Sequence, residues 1–406
     1  MKLKEAISWL ENRPRFKDKV SLDKMRKLNQ RLGNPDQSFK SIHITGTNGK
    51  GSTAHFLSGI LKSKYKVGLF TSPYILKFNE RLQINDEMIE DEKLLNYILT
   101  IKKFIEEYER EIDDKFTFFE ILTIIAFLYF KDEKVDYAII EVGIGGRLDS
   151  TNIINPVAAV ITSLGYDHEM QLGNSLESIL DNKLGIVKNN VPLFTAVVGF
   201  DEMINAYVDK HETNVTYVKS NEVEIISNFP LEFIFNGVTY QPRMQGLFQI
   251  TNALLALKVA KKIDDSITNE ELVKGINSSY NPGRFELVKV NPYVILDGAH
   301  NEAAMKALFK SVNKFFNKGK VKVLFACMDD KPFAEMIEIL KKMSNEIILT
   351  EIDYHRAYKV VNMHEQFKKF QNPLDGYKEI VSKISNDEVL IVTGSLYFVS
   401  FMKNNL

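Results

Sequence analysis

A glycine-rich stretch near the amino terminus has the residue types needed to bind phosphate. Residues 44–53 read Ile-Thr-Gly-Thr-Asn-Gly-Lys-Gly-Ser-Thr, between a β-rich run at 41–45 and a segment of helical character at 52–62. In such a strand–turn–helix, backbone N–H groups converge on phosphate oxygens, and the helix dipole favours negative charge. The ammonium of Lys50 then reaches the β- and γ-phosphates, and a following hydroxyl binds Mg²⁺. The stretch therefore predicts a nucleotide-binding loop.

The loop is a variant of the common phosphate-loop pattern. That pattern requires glycine at 44 and serine or threonine at 51, where this chain has Ile44 and Gly51. A random glycine-rich turn has no reason to combine a lysine and adjacent hydroxyls between a strand and a helix, so the assignment is kept. The positions assigned to nucleotide binding are Gly46, Thr47, Asn48, Gly49, Lys50, Gly51, Ser52 and Thr53.

A carboxylate follows a second β-rich run. Glu141 lies in the run at 137–142 and precedes a glycine-rich segment, residues 143–152. The carboxyl ends of parallel strands lie beside the ligand crevice of an α/β sheet, so Glu141 is expected to face the bound phosphates. Mg²⁺ prefers hard oxygen ligands together with water and phosphate oxygens. Glu141 is therefore predicted to bind Mg²⁺.

The spacing of apolar runs predicts the elements that position these residues. Runs of four to six apolar residues alternate with longer amphipathic stretches, which favours a mostly parallel sheet covered on both faces. Residues 215–240 have shorter alternating segments and an Asn236-Gly237 turn, typical of an antiparallel hairpin region. A second α/β series begins near residue 293. We predict a P-loop-type α/β domain at 1–287 and a smaller Rossmann-like α/β domain at 291–406.

Charge and cysteine content disfavour several classes of protein. The 52 basic and 53 acidic residues nearly cancel, so no large positive field attracts nucleic acid or an anionic membrane. The longest apolar stretch, residues 121–130, is shorter than the roughly 20 residues of a spanning helix, and a capping box at 117–120 precedes it. The single cysteine, Cys327, cannot form an internal disulfide, which favours a cytoplasmic protein with Cys327 in its core.

The motifs together resemble those of a known family. Residues 46–53 are similar to the phosphate loop of the Mur ligase superfamily. Residues 141–152 closely resemble the second signature of its folylpolyglutamate synthase and dihydrofolate synthase branch. Further matches follow in order as far as residue 397, so the resemblance covers nearly the whole chain. It implies a ligase that uses ATP and Mg²⁺ to form an amide bond.

The resemblance includes a third signature around residues 167–188. In the family, its histidine binds a second Mg²⁺ and its lysine is carbamylated to give a carboxylate; His168 and Lys183 match these positions. A carbamate suits such a site because it replaces an ammonium, which two cations would repel, by negative charge and oxygen ligands. The family usually has glutamate before the lysine, where this chain has Asn182.

Residues 71–81 resemble the family's loop after the second strand. The match assigns Ser72 to Mg²⁺ and Phe78, Asn79 and Arg81 to the pterin and benzoate part of a folate. An aromatic ring beside a guanidinium suits a flat ring system that carries a carboxylate.

Three later segments resemble nucleotide-binding parts of the family. Asn252, within residues 246–253, matches the residue that contacts the adenine edge. Arg284, within residues 282–286, matches an arginine that contacts ATP phosphate, where it stabilises charge on the transferred phosphoryl group. Asp297 is assigned to the ribose hydroxyls or to orienting a neighbour.

The resemblance also assigns residues to the substrate cleft. His300 is assigned to binding of the incoming glutamate, and Ser395 is assigned to the cleft that binds it. Two positions depart from the family pattern, since Tyr74 and Phe248 stand where histidines are usual.

The resemblance implies a specific reaction. Transfer of the γ-phosphoryl group of ATP to the terminal γ-carboxylate of a reduced folate gives an acyl phosphate. The amine of L-glutamate then attacks its acyl carbon and displaces phosphate. Positioning and charge neutralisation, through Lys50, Arg284 and two Mg²⁺ ions, are the expected sources of catalysis. The substrates are small molecules and a monomer is expected. The sequence leaves open whether dihydropteroate is a second acceptor.

Two other interpretations are kept. A Mur-type ligase acting on a cell-wall nucleotide is disfavoured, because the phosphate loop begins at residue 46 and leaves no room for an amino-terminal UDP-binding domain. A non-catalytic nucleotide-binding module is disfavoured by Lys50, Glu141 and His168. A GTPase is set aside, since Asn182-Lys183 lacks an acid two residues after the lysine, where Gly185 stands.

Overall fold

The protein is described here by a computed structural model that covers residues 2–15, 21–363 and 366–406. Close packing divides this part of the chain into two compact units. The first contains the described residues of 1–164, with 168–219 and 253–275; the second contains 165–167, 220–252 and the described residues of 276–406. The predicted domains at 1–287 and 291–406 stay a prediction, because compact packing does not measure independent folding.

The first unit is built on a mostly parallel sheet, as predicted. Its strands, over the described residues, run in the order β4-β3-β2-β5-β1-β6-β7-β8, and only the β4–β3 and β3–β2 pairs are antiparallel. The strands are β1 (Lys40–Thr45), β2 (Val67–Phe70), β3 (Leu82–Ile84), β4 (Glu87–Met88), β5 (Tyr137–Glu141), β6 (Ala158–Ile161), β7 (Leu193–Thr195) and β8 (Val215–Tyr217).

Central strands of this sheet are apolar because helices cover both faces. Every residue of β5 and β6 is buried, which accounts for continuous rather than alternating apolar runs. The helices that begin before residue 248 are α1 (Leu3–Glu11), α2 (Asp23–Arg31), α3 (Lys50–Leu61), α4 (Asp91–Ile112), α5 (Phe118–Asp132), α6 (Glu169–Leu172), α7 (Leu176–Leu184) and α8 (Asp201–Lys210).

The apolar stretch at 121–130 belongs to helix α5. The predicted capping box is confirmed, since the Thr117 side chain accepts from the Glu120 backbone N–H and the Glu120 carboxylate accepts from the Thr117 N–H. Among the helices that the structure describes, none combines the length and apolar character required to span a membrane.

The second unit contains two sheets. A small antiparallel sheet consists of β9 (Glu224–Ser227), β10 (Glu232–Phe235) and β11 (Val238–Tyr240). The predicted Asn236-Gly237 turn joins β10 to β11 with both residues at positive φ, 50° and 74°. The larger sheet has the order β12-β13-β17-β14-β15-β16, and only the β12–β13 pair is antiparallel.

The strands of the larger sheet are β12 (Glu286–Val290), β13 (Tyr293–Asp297), β14 (Val321–Phe325), β15 (Glu346–Thr350), β16 (Lys368–Phe370) and β17 (Val389–Thr393). The remaining helices are α9 (Phe248–Ile263), α10 (Asn269–Ser278), α11 (Glu302–Phe315), α12 (Phe333–Met343), α13 (Pro373–Val381) and α14 (Leu396–Lys403). Cys327 is buried in this unit's core, and burial raises the pKa of its thiol to about 12, so it is a core residue as predicted.

Candidate active site

The phosphate loop connects β1 to α3. Gly49 has φ +85°, a left-handed value that favours glycine, and α3 begins at the next residue, Lys50. A Cβ on Gly46 would lie 2.0 Å from Oγ1 of Thr162, so the loop passes too close to the end of β6 for any side chain. The Lys50 ammonium donates to the Gly46 carbonyl at 3.0 Å. The loop therefore folds around its lysine at a helix N-terminus, the geometry predicted for phosphate binding.

Two residues that sequence analysis did not assign hold this loop in place. The Thr162 hydroxyl donates to the Asn48 carbonyl at 2.6 Å, and the Asn48 N–H donates to Oγ of Ser163 at 2.9 Å. The Thr47 N–H donates to the Ser163 carbonyl at 3.0 Å. The sequence feature that could have predicted this role is the pair of hydroxyl residues, Thr162 and Ser163, directly after the buried strand β6.

Glu141 lies at the carboxyl end of a strand that neighbours β1, the strand from which the phosphate loop leaves. It ends β5, which is adjacent to β1, and it pairs in register with Ile44. Its Oε2 accepts from the Ser72 N–H at 2.9 Å, which ties it to the loop after β2. Glu141 is 4% exposed. The ends of β1, β2 and β5 thus bring Lys50, Ser72 and Glu141 to the same edge of the sheet.

Asp149 shapes the glycine-rich segment after Glu141, a role that sequence analysis missed. Its Oδ2 accepts from the N–H groups of Gly143 and Ile144 at 3.1 and 3.0 Å. Its Oδ1 accepts from the backbone N–H and the hydroxyl of Thr151 at 3.0 and 2.6 Å. A carboxylate that accepts several N–H groups fixes a turn strongly. Asp149 therefore sets the direction in which the chain leaves Glu141.

A buried histidine contacts Thr151, the residue whose hydroxyl donates to Asp149. His43, on β1, is fully buried and its Nε2 lies 2.8 Å from Oγ1 of Thr151. Because the Thr151 hydroxyl donates to Asp149, His43 donates to it from Nε2. Burial, with a further contribution from the positive charge of Lys188, lowers the pKa of His43 to about 3.

This burial predicts acid sensitivity. The unfolded chain protonates His43 below about pH 6.5, whereas the folded protein does not until about pH 3, so folding stability is lost as the pH falls through that window. We expect His43→Gln, whose amide can still donate to Thr151, to lower the slope of unfolding free energy against pH by about 1.4 kcal/mol per unit between pH 4.5 and 6. Urea denaturation at several pH values measures this slope.

The control for that measurement is His211→Gln, which removes a partly exposed histidine of the same unit. An unchanged slope in His43→Gln would show that His43 is not buried in its neutral form.

Lys183 is buried, with 3% exposure, near the end of α7. The glycine-rich segment packs directly against this helix end. A Cβ on Gly146 would lie 2.9 Å from the Asn182 carbonyl oxygen and 3.1 Å from that of Lys183, and the Arg147 N–H donates to the Asn182 carbonyl at 2.8 Å. Glycine at 146 therefore permits the close approach of the segment after Glu141 to the helix that carries Lys183.

His168 has φ +54° and immediately precedes the short helix α6. A left-handed conformation is uncommon for residues other than glycine, although histidine is enriched in it, and it is often found at functional sites. Across residues 2–15, 21–363 and 366–406, no cluster of three or more His, Cys, Asp or Glu side chains is arranged to hold a metal ion. A Mg²⁺ site built largely from hydroxyl, phosphate and water oxygens does not need such a cluster.

The segment at 71–81, after β2, places Arg81 among aromatic rings. The Arg81 guanidinium carbon lies 5.1, 5.5 and 5.3 Å from the ring centroids of Tyr74, Phe78 and Phe118. Phe118 comes from α5 and was not assigned from the sequence. The arrangement confines a guanidinium among apolar faces, which suits a ligand that combines a flat ring with a carboxylate.

Asn79 stabilises this loop through its amide nitrogen. Its Nδ2 donates to the Ile89 carbonyl at 2.7 Å and to Oδ1 of Asp91 at 2.9 Å. Both amide protons therefore bond to the chain between β4 and the start of α4, and a substrate contact would have to use Oδ1. The role of Asn79 in folate binding stays a prediction.

Asp297, in the second unit, holds the turn that contains Arg284. Its Oδ2 accepts from the Phe285 N–H and its Oδ1 from the Ala299 N–H, both at 2.9 Å. Burial raises the pKa of Asp297 to about 6, against the opposing effect of the Arg284 charge. The observed contacts fit orientation of a neighbour, one of the two roles expected for Asp297.

His300 belongs to a polar cluster in the second unit. Its Nδ1 lies 2.7 Å from the Gly298 carbonyl, which assigns the proton to Nδ1 and leaves Nε2 as an acceptor 3.8 Å from Oδ2 of Asp167. Burial lowers the pKa of His300 to about 4. Asp167 also accepts from Asn301 Nδ2 and Lys331 Nζ, each at 3.0 Å. Sequence analysis assigned His300, but gave Asp167 and Asn301 no role.

Two other assigned residues are buried in the second unit. The Asn252 amide nitrogen donates to Oε1 of Gln249 at 2.9 Å. The Ser395 hydroxyl caps helix α14 by accepting from the Tyr397 N–H at 3.2 Å. These contacts are local, so the roles in nucleotide and substrate binding stay predictions.

Comparison with known protein families adds an independent observation. The Mur ligase middle domain matches residues 44–260, and the Mur ligase glutamate ligase domain matches residues 283–396. The chain belongs to the Mur ligase family. The phosphate loop and Glu141 fall within the first matched region, and Arg284 and His300 fall within the second.

Full-length relatives place the chain in one branch of the Mur ligase family. It is 35% identical to dihydrofolate synthase/folylpolyglutamate synthase of Bacillus subtilis, over 99% of this chain and 98% of the relative. It is 29% identical to folylpolyglutamate synthase of Lacticaseibacillus casei, over 100% and 99%. The structure of E. coli FolC in complex with DHPP and ADP matches with a TM-score of 0.88 and 26% identity, over 100% and 97%. The predicted family resemblance and fold class are confirmed.

Proposed function

We propose that this member of the Mur ligase family is an ATP-dependent ligase that adds L-glutamate to the glutamate tail of reduced folates. The observation that carries the proposal is the placement of Lys50, Ser72 and Glu141 at one sheet edge, in a chain that matches folylpolyglutamate synthases over its full length. The reaction needs a nucleotide site, a folate site and a site for the incoming amino acid.

The nucleotide site is formed by the phosphate loop, residues 46–53. The convergent N–H groups and the Lys50 ammonium neutralise the phosphates of ATP. Asn252 is proposed to contact adenine, Asp297 to contact the ribose or orient Arg284, and Arg284 to stabilise charge on the transferred phosphoryl group.

The residues around Glu141 fit a magnesium site. A buried carboxylate at a strand end, beside the Ser72 loop and the first turn of α3, offers the hard oxygen ligands that Mg²⁺ prefers. Ser52, Ser72 and Glu141 are proposed to hold Mg²⁺, which when bound neutralises phosphate charge during transfer. His168 and Lys183 are proposed for a second ion, with Lys183 carbamylated. Lys183 is 3% exposed and lies beside the glycine-rich segment that follows Glu141, which supports its placement in this site.

The folate site is proposed to use the pocket around Arg81. Phe78, Tyr74 and Phe118 offer ring faces to the pterin and benzoate groups, while the guanidinium pairs with a carboxylate. The E. coli relative has been solved with DHPP and ADP, and another solved relative is an FPGS–AMPPCP–folate complex.

The incoming glutamate is proposed to bind at the cluster of Asp167, His300 and Lys331, with Ser395 on the same side. Asp167 and the neutral Nε2 of His300 offer acceptors to an ammonium, and Lys331 offers positive charge to a carboxylate.

The proposed chemistry takes place in two steps. A γ-carboxylate oxygen of the folate tail attacks the γ-phosphorus of ATP and ADP leaves, which forms an acyl phosphate. The glutamate nitrogen then attacks the acyl carbon, phosphate leaves, and the nitrogen loses a proton. The protein contributes mainly orientation of the reactants and neutralisation of the developing charge.

The proposal is tested by phosphate release that requires both glutamate and an acceptor, with the products identified by mass. Tetrahydrofolate and dihydropteroate are offered in parallel. A gain of one glutamate on tetrahydrofolate alone indicates a polyglutamate synthase, and a gain on both indicates a bifunctional enzyme. No gain on either acceptor, with ATP still bound, would contradict the folate assignment and return attention to other carboxylate substrates of Mur-type ligases.

Two further properties are proposed. The single buried cysteine supports a cytoplasmic location. A monomeric state is proposed and is checked by sedimentation of the protein with and without ATP.

A further inference from the structure

The turn that contains Arg284 has an unusual backbone. The residues on each side, Gly283 and Phe285, have φ of +69° and +50°. Phe285 is fully buried, and a left-handed conformation is unfavourable for a bulky side chain. Such a conformation persists only where surrounding contacts hold it.

The end of β13 and Gly298, which follows it, hold the turn from one side. The Gly298 N–H donates to the Gly283 carbonyl at 2.8 Å, and the Phe285 N–H donates to Asp297 at 2.9 Å. On the other side, the Gly283 N–H donates to Oε2 of Glu286 at 2.8 Å. The carboxylate of Glu286 therefore fixes the amino-terminal half of the turn.

Glu286 is itself fixed by two residues distant in sequence. Its Oε1 accepts from the hydroxyl of Tyr280 and from the ammonium of Lys403, the last residue of α14. Lys403 also contacts the Tyr280 hydroxyl. The side chains of Glu286 and Lys403 are 10% and 16% exposed, so water screens their pairing little. We call Tyr280, Glu286 and Lys403 the Glu286 clasp.

Two guanidinium groups that could compete with Lys403 for the Glu286 carboxylate, those of Arg243 and Arg284, lie close to the clasp. A cavity of about 230 Å³ is lined by Tyr280, Glu286, Arg243 and Arg284. The Arg243 guanidinium stacks over the Tyr280 ring at 4.2 Å. If Lys403 did not neutralise Glu286, the carboxylate would attract the guanidinium of Arg284 across the same cavity, because Arg readily forms paired contacts with carboxylates.

We propose that Lys403 and Tyr280 are positioning residues for the ligase reaction: by binding the Glu286 carboxylate, they hold the turn at 282–286 and thereby fix the position from which Arg284 acts on the transferred phosphoryl group. The proposal rests on the role given to Arg284 under the proposed function. It also gives a role to Glu286, the last residue of the segment at 282–286 that resembles the family.

The test compares Lys403→Met, Lys403→Arg and Tyr280→Phe with the wild-type protein. Displacement of a catalytic group by about 1 Å lowers rates by up to about 100-fold, so we expect Lys403→Met to lower kcat by about 10- to 100-fold. Lys403→Arg retains the charge and restores most of the rate, and Tyr280→Phe gives a smaller loss. Lys314→Met, at an exposed lysine of the same unit, serves as the matched control.

A double variant separates positioning from general destabilisation. In the Arg284→Ala background, Lys403→Met is expected to cause no further loss of kcat, because the group that it positions is absent. The proposal would be overturned if the kcat losses of Arg284→Ala and Lys403→Met multiplied in the double variant. It would also be overturned if Lys403→Met alone had a kcat within twofold of wild type. Wild-type kcat in Arg284→Ala would overturn the role of Arg284 and the clasp with it, whereas absence of glutamate-dependent turnover in the wild-type protein would overturn the proposed function itself.

Discussion

Lys50→Ala is expected to lower kcat for glutamate addition by at least about 10³-fold while the protein remains folded. Positive charge near the transferred phosphoryl group is needed most in the transition state, where single groups of this kind contribute about 10²- to 10⁵-fold. The Lys50 ammonium contacts only loop carbonyls, those of Gly46 and Thr47 at 3.0 and 3.4 Å, among the hydrogen bonds that the structure describes. Its loss should therefore cost little stability.

The measurement is steady-state phosphate release with thermal unfolding of the same preparation. Lys27→Ala, at an exposed lysine of α2 in the same unit, is the control for loss of a lysine. Activity of Lys50→Ala above that of a mock purification, with an unchanged melting temperature, would contradict the assignment of residues 46–53 as the catalytic phosphate loop.

Glu141→Gln is expected to lower kcat by about 10²- to 10³-fold and to raise the Mg²⁺ concentration that gives half-maximal rate. Removing one charged metal ligand weakens Mg²⁺ binding, since this ion depends on carboxylate and phosphate charge. In the wild-type protein the Ser72 N–H donates to Oε2 of Glu141 at 2.9 Å, and the carbonyl oxygen of a glutamine at this position can still accept that hydrogen bond. The substitution therefore changes charge while it preserves the contact between the two loops.

Activity is measured over a Mg²⁺ titration from micromolar to tens of millimolar. Glu87→Gln, on exposed strand β4 of the same sheet, is the matched control and should leave the titration curve unchanged. A loss of kcat with no change in Mg²⁺ dependence would exclude Glu141 as a metal ligand and indicate that it acts through the position of the Ser72 loop.

Local patterns in the sequence were sufficient for much of the fold. The capping box at Thr117 and Glu120 joins residues three apart, and the Asn236-Gly237 turn joins adjacent strands. The phosphate loop is likewise one contiguous segment whose glycines and lysine must follow a strand and precede a helix. Such features depend on backbone conformation within a few residues, so the sequence alone predicts them.

Side-chain partners far apart in sequence required the structure. His43 contacts Thr151 across 108 residues, and Lys403 contacts Glu286 across 117. Phe118 joins the pocket of Arg81 because α5 packs beside the loop after β2. No local pattern marks these pairs, since they depend on which loops the strand order brings to the same edge.

The sequence by itself therefore determined the class of chemistry: a phosphate loop with a lysine, a carboxylate at a neighbouring strand end, and motifs of an ATP-dependent ligase. The tertiary structure alone decided how those groups are held. Asp149 and His43 fix the segment that follows Glu141, and the Glu286 clasp fixes the turn that contains Arg284. The physical reason is that reactive groups must be of particular residue types, which a sequence displays directly. Their supports need only be complementary in charge and shape, and complementarity exists only once the chain has folded.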